Sequence, residues 1–250
     1  MKKIKAIGFD LFNTLITVEP YVLDEAMARL IRDLQQSGLA LEHEAFKQAH
    51  HQAALQFIKQ TRLDGRETHN RFWISSALET LGYTVPPDDT RIARAVEEYF
   101  SPFYQCCRLI PGTTEMLGTI KGQYPLGLLS NFTHAPAAMK IIDRAGLTPF
   151  FDVMLISGEV GYRKPHPLIF RRLIDQLGVQ KNQILFVGDD SAADIIGAQQ
   201  LGLQPVWMTY VQDKNIPIAS SLLSRSVEEP DDKIPRISSW IDLFALLDEE

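Results

Sequence analysis

The sequence has few cysteines, no long apolar run and no block of like charge. A membrane-spanning helix needs about 18 or more consecutive apolar residues, and no stretch approaches that, so no span is expected. The N-terminal MKKIKAIGFD begins like a charged signal segment. Asp10 interrupts its apolar part and no small-residue cleavage site follows, so a cytoplasmic protein is expected. Cys106 and Cys107 are the two cysteines and are adjacent. Neighbouring cysteines rarely form a relaxed disulfide, and two thiols are too few for a structural metal site, so both are expected to be reduced. The formal net charge of -6 argues against a general affinity for nucleic acid. The first strand-to-helix turn lacks a glycine-rich nucleotide signature. Internal repeats and low-complexity tracts are missing too.

What remains is an ordinary globular composition. The 250 residues are 45% hydrophobic and 22% charged, enough to bury a sizeable core. Lys3 to Asp10 is short, apolar and bounded, and reads as a buried strand. From about Val18 to Phe103 the texture becomes helical. Met27, Leu30, Ile31 and Leu34 recur on one helix face. ETHNRFWISSALETLGY and DTRIARAVEEYFSPF read as further helices, separated by the loop TVPPDD. After LIPG at Leu109 to Gly112, strands and helices alternate. The predicted strands are Tyr124–Ser130, Val153–Ser157, Ile184–Gly188 and Pro205–Met208. The predicted helices are Thr113–Lys121, Ala135–Ala145, His166–Leu177 and Ala192–Leu201. Such alternation implies a parallel sheet covered on both faces. Val211 to Pro235 reads as an irregular, exposed, mobile loop, followed by a last short strand and an amphipathic helix. The fold class is therefore α/β. It is a Rossmann-like doubly wound core of residues 1–16 and 104–250, with an all-helical insert at 17–103.

In such a sheet, ligands bind beyond the carboxyl ends of the strands. The first strand ends in Asp10, the second in Ser130-Asn131, and ILFVG in Asp189-Asp190. Lys164 follows VMLIS in the loop GEVGYRKPHP. One aspartate at a strand end is most simply a cap or a turn residue. Several carboxylates brought to one edge repel one another and need a cation. Hard oxygen ligands suit Mg²⁺, which takes a few carboxylates plus waters and a phosphate. Lys164 can offset further charge, so the edge reads as a site for a small anionic substrate.

DLFNTL, LLSN, RKPHP and VGDDSAAD resemble, in order, the four motifs of the haloacid dehalogenase-like hydrolase superfamily. The likeness extends over nearly the whole chain and includes a helical cap between the first two motifs, as in its subfamily I. The resemblance implies an enzyme that forms an aspartyl-phosphate on Asp10 and needs Mg²⁺. It implies that Asp10, the backbone carbonyl of Phe12 and Asp189 hold the metal. Asp190 and Asp194 are then candidates for contacts to the metal or to its ligands, although their spacing also suits a helix N-terminus. Thr14, Ser130 and the Asn131 backbone would grip phosphoryl oxygens, and Lys164 would pair with the nucleophile and the phosphate. The implied partner is a small phosphorylated molecule, without nucleic acid or membrane; the oligomeric state is left open.

Phe12 departs from that pattern. Phosphatases of the superfamily carry there a second aspartate, a general acid and then base, and a phenyl ring carries no proton. The superfamily's dehalogenases also place an aromatic residue there, yet they use no metal and lack the full acidic cluster. Asp189, Asp190 and Asp194 favour the metal-dependent phosphatase. A 2-haloacid dehalogenase, or a low-turnover binding protein, is the alternative. Elsewhere, His50 and His51 are expected to be solvated or at the core edge. Phe72 and Trp73 are expected to pack between helices. Arg62, Arg66 and Arg71 read as a solvated charged face or as substrate-reading residues.

Overall fold

Strands that are apolar at every position must be covered on both sides. In the computed structural model, which describes residues 3–217 and 229–248, β1 (Ala6–Phe9) is buried along its whole length. The chain then runs through β2 (Ile16–Val18) into four helices, α1 (Val22–Gln36), α2 (His43–Asp64), α3 (Asn70–Thr80) and α4 (Thr90–Phe100). It returns through a single turn, α5 (Phe103–Cys106), and β3 (Cys107–Leu109). There follow α6 (Thr113–Ile120), β4 (Leu126–Ser130), α7 (Ala135–Arg144), β5 (Val153–Ile156), α8 (Ser157–Val160) and α9 (Pro167–Leu177). The last part holds β6 (Ile184–Gly188), a π-helical turn Ser191–Ile196 running into α10 (Gly197–Leu201), and β7 (Gln204–Met208). It closes with α11 (Tyr210–Asp213), β8 (Arg236–Ile237) and α12 (Trp240–Asp248).

The main sheet has six strands in the order β5-β4-β1-β6-β7-β8, and every pair in it is parallel. β4 and β6, the neighbours of β1, are buried at every position, as the apolar runs LGLLS and ILFVG require. The strand order reverses at β1, because the chain fills β4 and β5 on one side before crossing to β6 on the other. That switch point is where an open sheet leaves a crevice at its carboxyl edge.

The helical insert forms as its sequence demands. α1 turns Val22, Ala26, Leu30, Ile31 and Leu34 inward, with Asp24 and Glu25 in its first turn. It ends at Ser37-Gly38, and α2 starts at His43. The Glu42 side chain caps α2 by accepting from the Ala45 N–H, and Asp89 caps α4 by accepting from Arg91 N–H. Phe72 and Trp73 pack between helices as expected, with Trp73 beside Ala53, Ala54 and Ile58. His50 corrects the expectation of a solvated or edge position. It is 4% exposed and ringed by Phe46, Trp73 and Tyr99. Its helical register relative to Phe46 turns it inward while His51 faces solvent.

Two features were not legible in the sequence. β2 and β3 pair antiparallel, Thr17 opposite Arg108, so the insert hangs on a two-stranded stalk. The strands are too short to show alternation. The first strand is also shorter than predicted, starting at Ala6. Both cysteines are free, as expected. Of the irregular stretch predicted for 211–235, residues 218–228 lie outside the described residues, and α11 occupies its start. Among the described residues, no helix is long and apolar enough to cross a membrane.

Candidate active site

Asp10 follows directly on β1, and its backbone N–H donates to the Val187 carbonyl of β6 at 2.9 Å, so the sheet itself fixes its place. The next turn folds back tightly. Asn13 takes φ 62, a left-handed conformation that asparagine tolerates better than most residues. That turn brings Thr14 round to donate its hydroxyl to Asp10 Oδ2 at 3.1 Å.

Lys164 meets Asp10 from the other side. Its Nζ lies 2.6 Å from Asp10 Oδ1 and 2.6 Å from Asp194 Oδ1, and the lysine is 3% exposed. Burial alone would push its pKa down; the Asp10 and Asp194 carboxylates overcome this and raise it above the ordinary lysine value. Asp194 is pushed the unusual way, up to about 7. Burial does most of this, Asp10 and Asp190 add repulsion, and Lys164 opposes it. The Asn131 side chain holds the lysine's backbone at both ends, accepting from the Lys164 N–H at 2.8 Å and donating to its carbonyl at 3.0 Å. The sequence reading used only the Asn131 backbone and missed this clamp. Ser130 ends β4 with its Oγ buried and, among the described residues, without a hydrogen-bond partner.

Asp189 follows on from β6, with its carbonyl accepting from the Trp207 indole N–H at 3.0 Å. Asp10, Asp189 and Asp194 each offer a carboxylate oxygen, and these oxygens lie within 4.8 Å of one another. Asp190 is not part of that group. Its Oδ1 accepts from the Ala192 and Ala193 N–H groups at 3.0 and 2.8 Å, capping the turn that follows. Asp190 serves the helix N-terminus, and Asp194, in the first turn, accepts from the Asp190 N–H at 3.0 Å while its other oxygen meets Lys164. Asp194 reaches the cluster because Gly188 leaves room: a Cβ there would fall on the Asp194 carboxylate. The glycine of VGDD was the available signal.

Phe12 stacks flat on Phe132, with ring centroids 5.4 Å apart and planes 7° from parallel. Phe132 in turn meets Phe100 of α4 at 5.1 Å, so an aromatic wall joins the sheet edge to the insert. A cavity of about 630 Å³ opens beside the site. Thr61, Arg62 and Asp64 of the insert line one wall, and Asn131, Lys164 and Asp190 line the other. Of Arg62, Arg66 and Arg71, Arg62 lines this cavity. Arg66 lies over the Tyr162 ring and Arg71 over Phe72.

A doubly wound α/β sheet with a buried lysine and three carboxylates at its switch point is the architecture of a group-transfer or hydrolytic enzyme. The model for the haloacid dehalogenase-like hydrolase family matches residues 4–202, and the chain belongs to that family and is a hydrolase. It is 31% identical to the ribulose-1,5-bisphosphate 5-phosphatase of Halopiger xanaduensis, over 80% of this chain and 83% of that protein. Among solved structures it is similar to the 2-haloacid dehalogenase of Pseudomonas syringae pv. Tomato DC3000. The TM-score is 0.73 at 22% identity, covering 98% of this chain and 99% of that one. It is also similar to the magnesium-bound putative HAD-hydrolase YfnB of Bacillus subtilis. There the TM-score is 0.60 at 21% identity, with the same coverage.

Proposed function

We propose that the chain is a Mg²⁺-dependent phosphatase acting on a small phosphorylated substrate through an aspartyl-phosphate on Asp10. The observation that carries this reading is the convergence of three buried carboxylates, Asp10, Asp189 and Asp194, whose oxygens lie within 4.8 Å of one another beside Lys164. A nucleophile that attacks carbon gains nothing from extra anions, whereas a divalent cation would balance them. The donor set fits a hard cation. Asp189 and Asp10, with the Phe12 carbonyl, would hold it, and Asp194 stays with Lys164 and the Asp190 N–H, to which its two oxygens are bonded. Bound there, Mg²⁺ would supply positive charge to the phosphoryl oxygens and to the nucleophile.

The chain's own residues account for the rest. One Asp10 oxygen attacks phosphorus, and the bond from phosphorus to the leaving oxygen breaks. Lys164 holds the carboxylate in line and neutralises charge as it gathers on the phosphoryl group. The buried Ser130 hydroxyl, Thr14 and the Asn131 N–H are donors for phosphoryl oxygens. Water then attacks the phosphorus of the aspartyl-phosphate, releasing inorganic phosphate and free Asp10. Residues 17–103 act as a lid over the core formed by 1–16 and 104–250, and the 630 Å³ cavity is the substrate's place. The relative from Halopiger acts, by its name, on a sugar bisphosphate, which supports a substrate of this size class.

Phe12 favours a second reading, a dehalogenase in which Asp10 attacks carbon beside the aromatic wall. A panel of phosphate esters and 2-haloacids, assayed with Mg²⁺ and with chelator, separates the two. Phosphate release that chelator abolishes is expected. Halide release indifferent to chelator would overturn the phosphatase reading.

A further inference from the structure

The segment between α2 and α3 lies against the loop that carries Lys164. Gly65 accepts from the Arg163 N–H at 3.0 Å, and the Glu67 N–H donates to the Gly161 carbonyl at 3.0 Å. Arg66 and Tyr162 thus form an antiparallel bridge between insert and core. Gly65 takes φ 69 and packs so closely that a Cβ would strike the His166 side chain. Within this seam one ionisable side chain is shut away from water. Glu67 has a side chain only 2% exposed, and no role in the reaction above uses it.

Its carboxylate has one contact within the insert, where Oε1 accepts from the Thr68 N–H at 3.0 Å, and two with the core. Oε2 accepts from the Ser157 hydroxyl at 2.6 Å, and Oε1 lies 3.4 Å from Arg163 Nη1. Ser157 in turn accepts from the Phe132 N–H at 2.8 Å. Phe132 is joined directly to Asn131, the residue that clamps Lys164, and Arg163 is joined directly to Lys164. Glu67 therefore contacts the 161–164 segment directly and the 131–132 segment through Ser157. A buried carboxylate is costly unless it is paired and hydrogen-bonded. Its two core partners, Ser157 and Arg163, are in reach only while the insert is seated on the core. Lifted away, Glu67 would return to water, and Ser157 and Arg163 would lose their partner together.

We propose that Glu67 is a positioning residue. Seated on Ser157 and Arg163, it locks the 131–132 and 161–164 segments and so holds Lys164 between Asp10 and Asp194, coupling closure of the insert to assembly of the site. The consequence for turnover rests on the phosphatase reading; the consequence for the position of Lys164 does not.

The test compares wild type, Glu67→Ala, Glu67→Gln and Ser157→Ala in the full chain. Amide hydrogen exchange is read without substrate, and p-nitrophenyl phosphate hydrolysis is read with Mg²⁺. In Glu67→Ala, exchange at Phe132 and at Lys164 should rise at least about tenfold while β1 and β6 keep their protection. Turnover should fall about 10- to 100-fold in kcat with KM changed less than about threefold. Glu67→Gln still accepts from Ser157 and should recover part of both effects. Ser157→Ala removes the acceptor of the Phe132 N–H outright and sets the full size of the Phe132 effect, and Glu67→Gln, read at Lys164, decides the matter if Glu67→Ala does not fold. Faster exchange confined to residues 65–67, with Phe132 and Lys164 unchanged, would reduce Glu67 to a docking contact and overturn the proposal. If wild type hydrolyses no phosphate ester, the phosphatase reading fails and the exchange at Lys164 still decides the role of Glu67.

Discussion

Asp10 and Phe12 are two residues apart and of opposite kinds, and much of the chemistry turns on that pair. The Phe12 backbone remains able to serve a metal, because that role does not involve the ring. On the phosphatase reading only proton transfer is lost, and such groups contribute typically ~10²–10⁴-fold. Alkyl phosphates, whose leaving groups need a proton, should therefore be slow, and aryl phosphates should suffer less. Phe12→Asp is expected to raise the alkyl rate more than the aryl rate with Mg²⁺ present. If the variant folds, binds Mg²⁺ and gains on neither, the missing acid lies elsewhere or the chemistry is at carbon. His50 bears on stability in the same single-residue way. Burial, then neighbouring His51, lowers its pKa to about 4 from the ordinary 6.5. The folded state thus keeps it neutral, while an unfolded chain takes up a proton below pH 6.5. Stability linked to His50 is whole above that pH and is lost as pH falls toward 4, by up to about 3 kcal/mol. Urea titrations at pH 7 and pH 5 should show a smaller acid loss in His50→Leu than in wild type.

Between elements, one hydrogen-bonded row ties the insert to α7. His69 Nδ1 accepts from the Arg71 N–H at the start of α3, which makes its Nε2 the donor to His134 Nδ1 at 2.9 Å. His134 Nε2 must then donate to Glu97 Oε1 at 2.9 Å, and Lys140 donates to Glu97 Oε2 at 2.8 Å. Burial first, then His134 and Arg71, lowers the His69 pKa to about 4, which keeps the row neutral at that ring. His134→Leu leaves the His69 donor facing an apolar group and should cost about 1–2 kcal/mol. Exchange at the first turn of α3 should rise with it. Glu97→Gln preserves an acceptor for His134 and loses mainly a half-exposed ion pair, so its cost should stay under about 1 kcal/mol. Equal costs in the two variants would show that the order of donors is wrong.

Elements of this kind differ in how far the sequence announces them. The buried strands were legible because a continuous apolar run bounded by polar residues has few other uses. The ends of those runs located Asp10, Ser130 and Asp189, since an open parallel sheet puts its ligands at one edge. The role of Asp194 was legible only as an even choice, because carboxylates suit a metal and a first turn equally well. The Asn131 clamp, the Trp207 bond and the Glu67 seam were not legible, because each joins residues far apart in the chain. Neither β2 nor β3 carries any pattern of its own. What selects them is pairing across the base of the insert.

Over the whole molecule, the helices of the insert and the sheet share one buried cluster. It runs from Leu30, Phe46 and Ile74 through Phe100 and Phe103 to Leu128 and Val187 without a break. Two regions joined by so continuous a core should unfold together. Thermal unfolding followed by far-ultraviolet circular dichroism and by tryptophan fluorescence is expected to give coincident midpoints. Trp73 reports the insert, while Trp207 and Trp240 report the sheet side. Two separated transitions would mean that the shared cluster binds the parts less tightly than its continuity implies.

The stalk of β2 and β3 has a consequence for ancestry. Because Thr17 and Arg108 sit opposite each other, the chain leaves and re-enters the core at one spot. A gene segment encoding everything between them could be removed, or exchanged for another, by bridging only the gap between paired strands. Descent could then vary what sits above the carboxylates without touching the scaffold that presents them. Each newcomer would have to meet only two demands: matching ends a strand's width apart, and an apolar underside that completes the shared core.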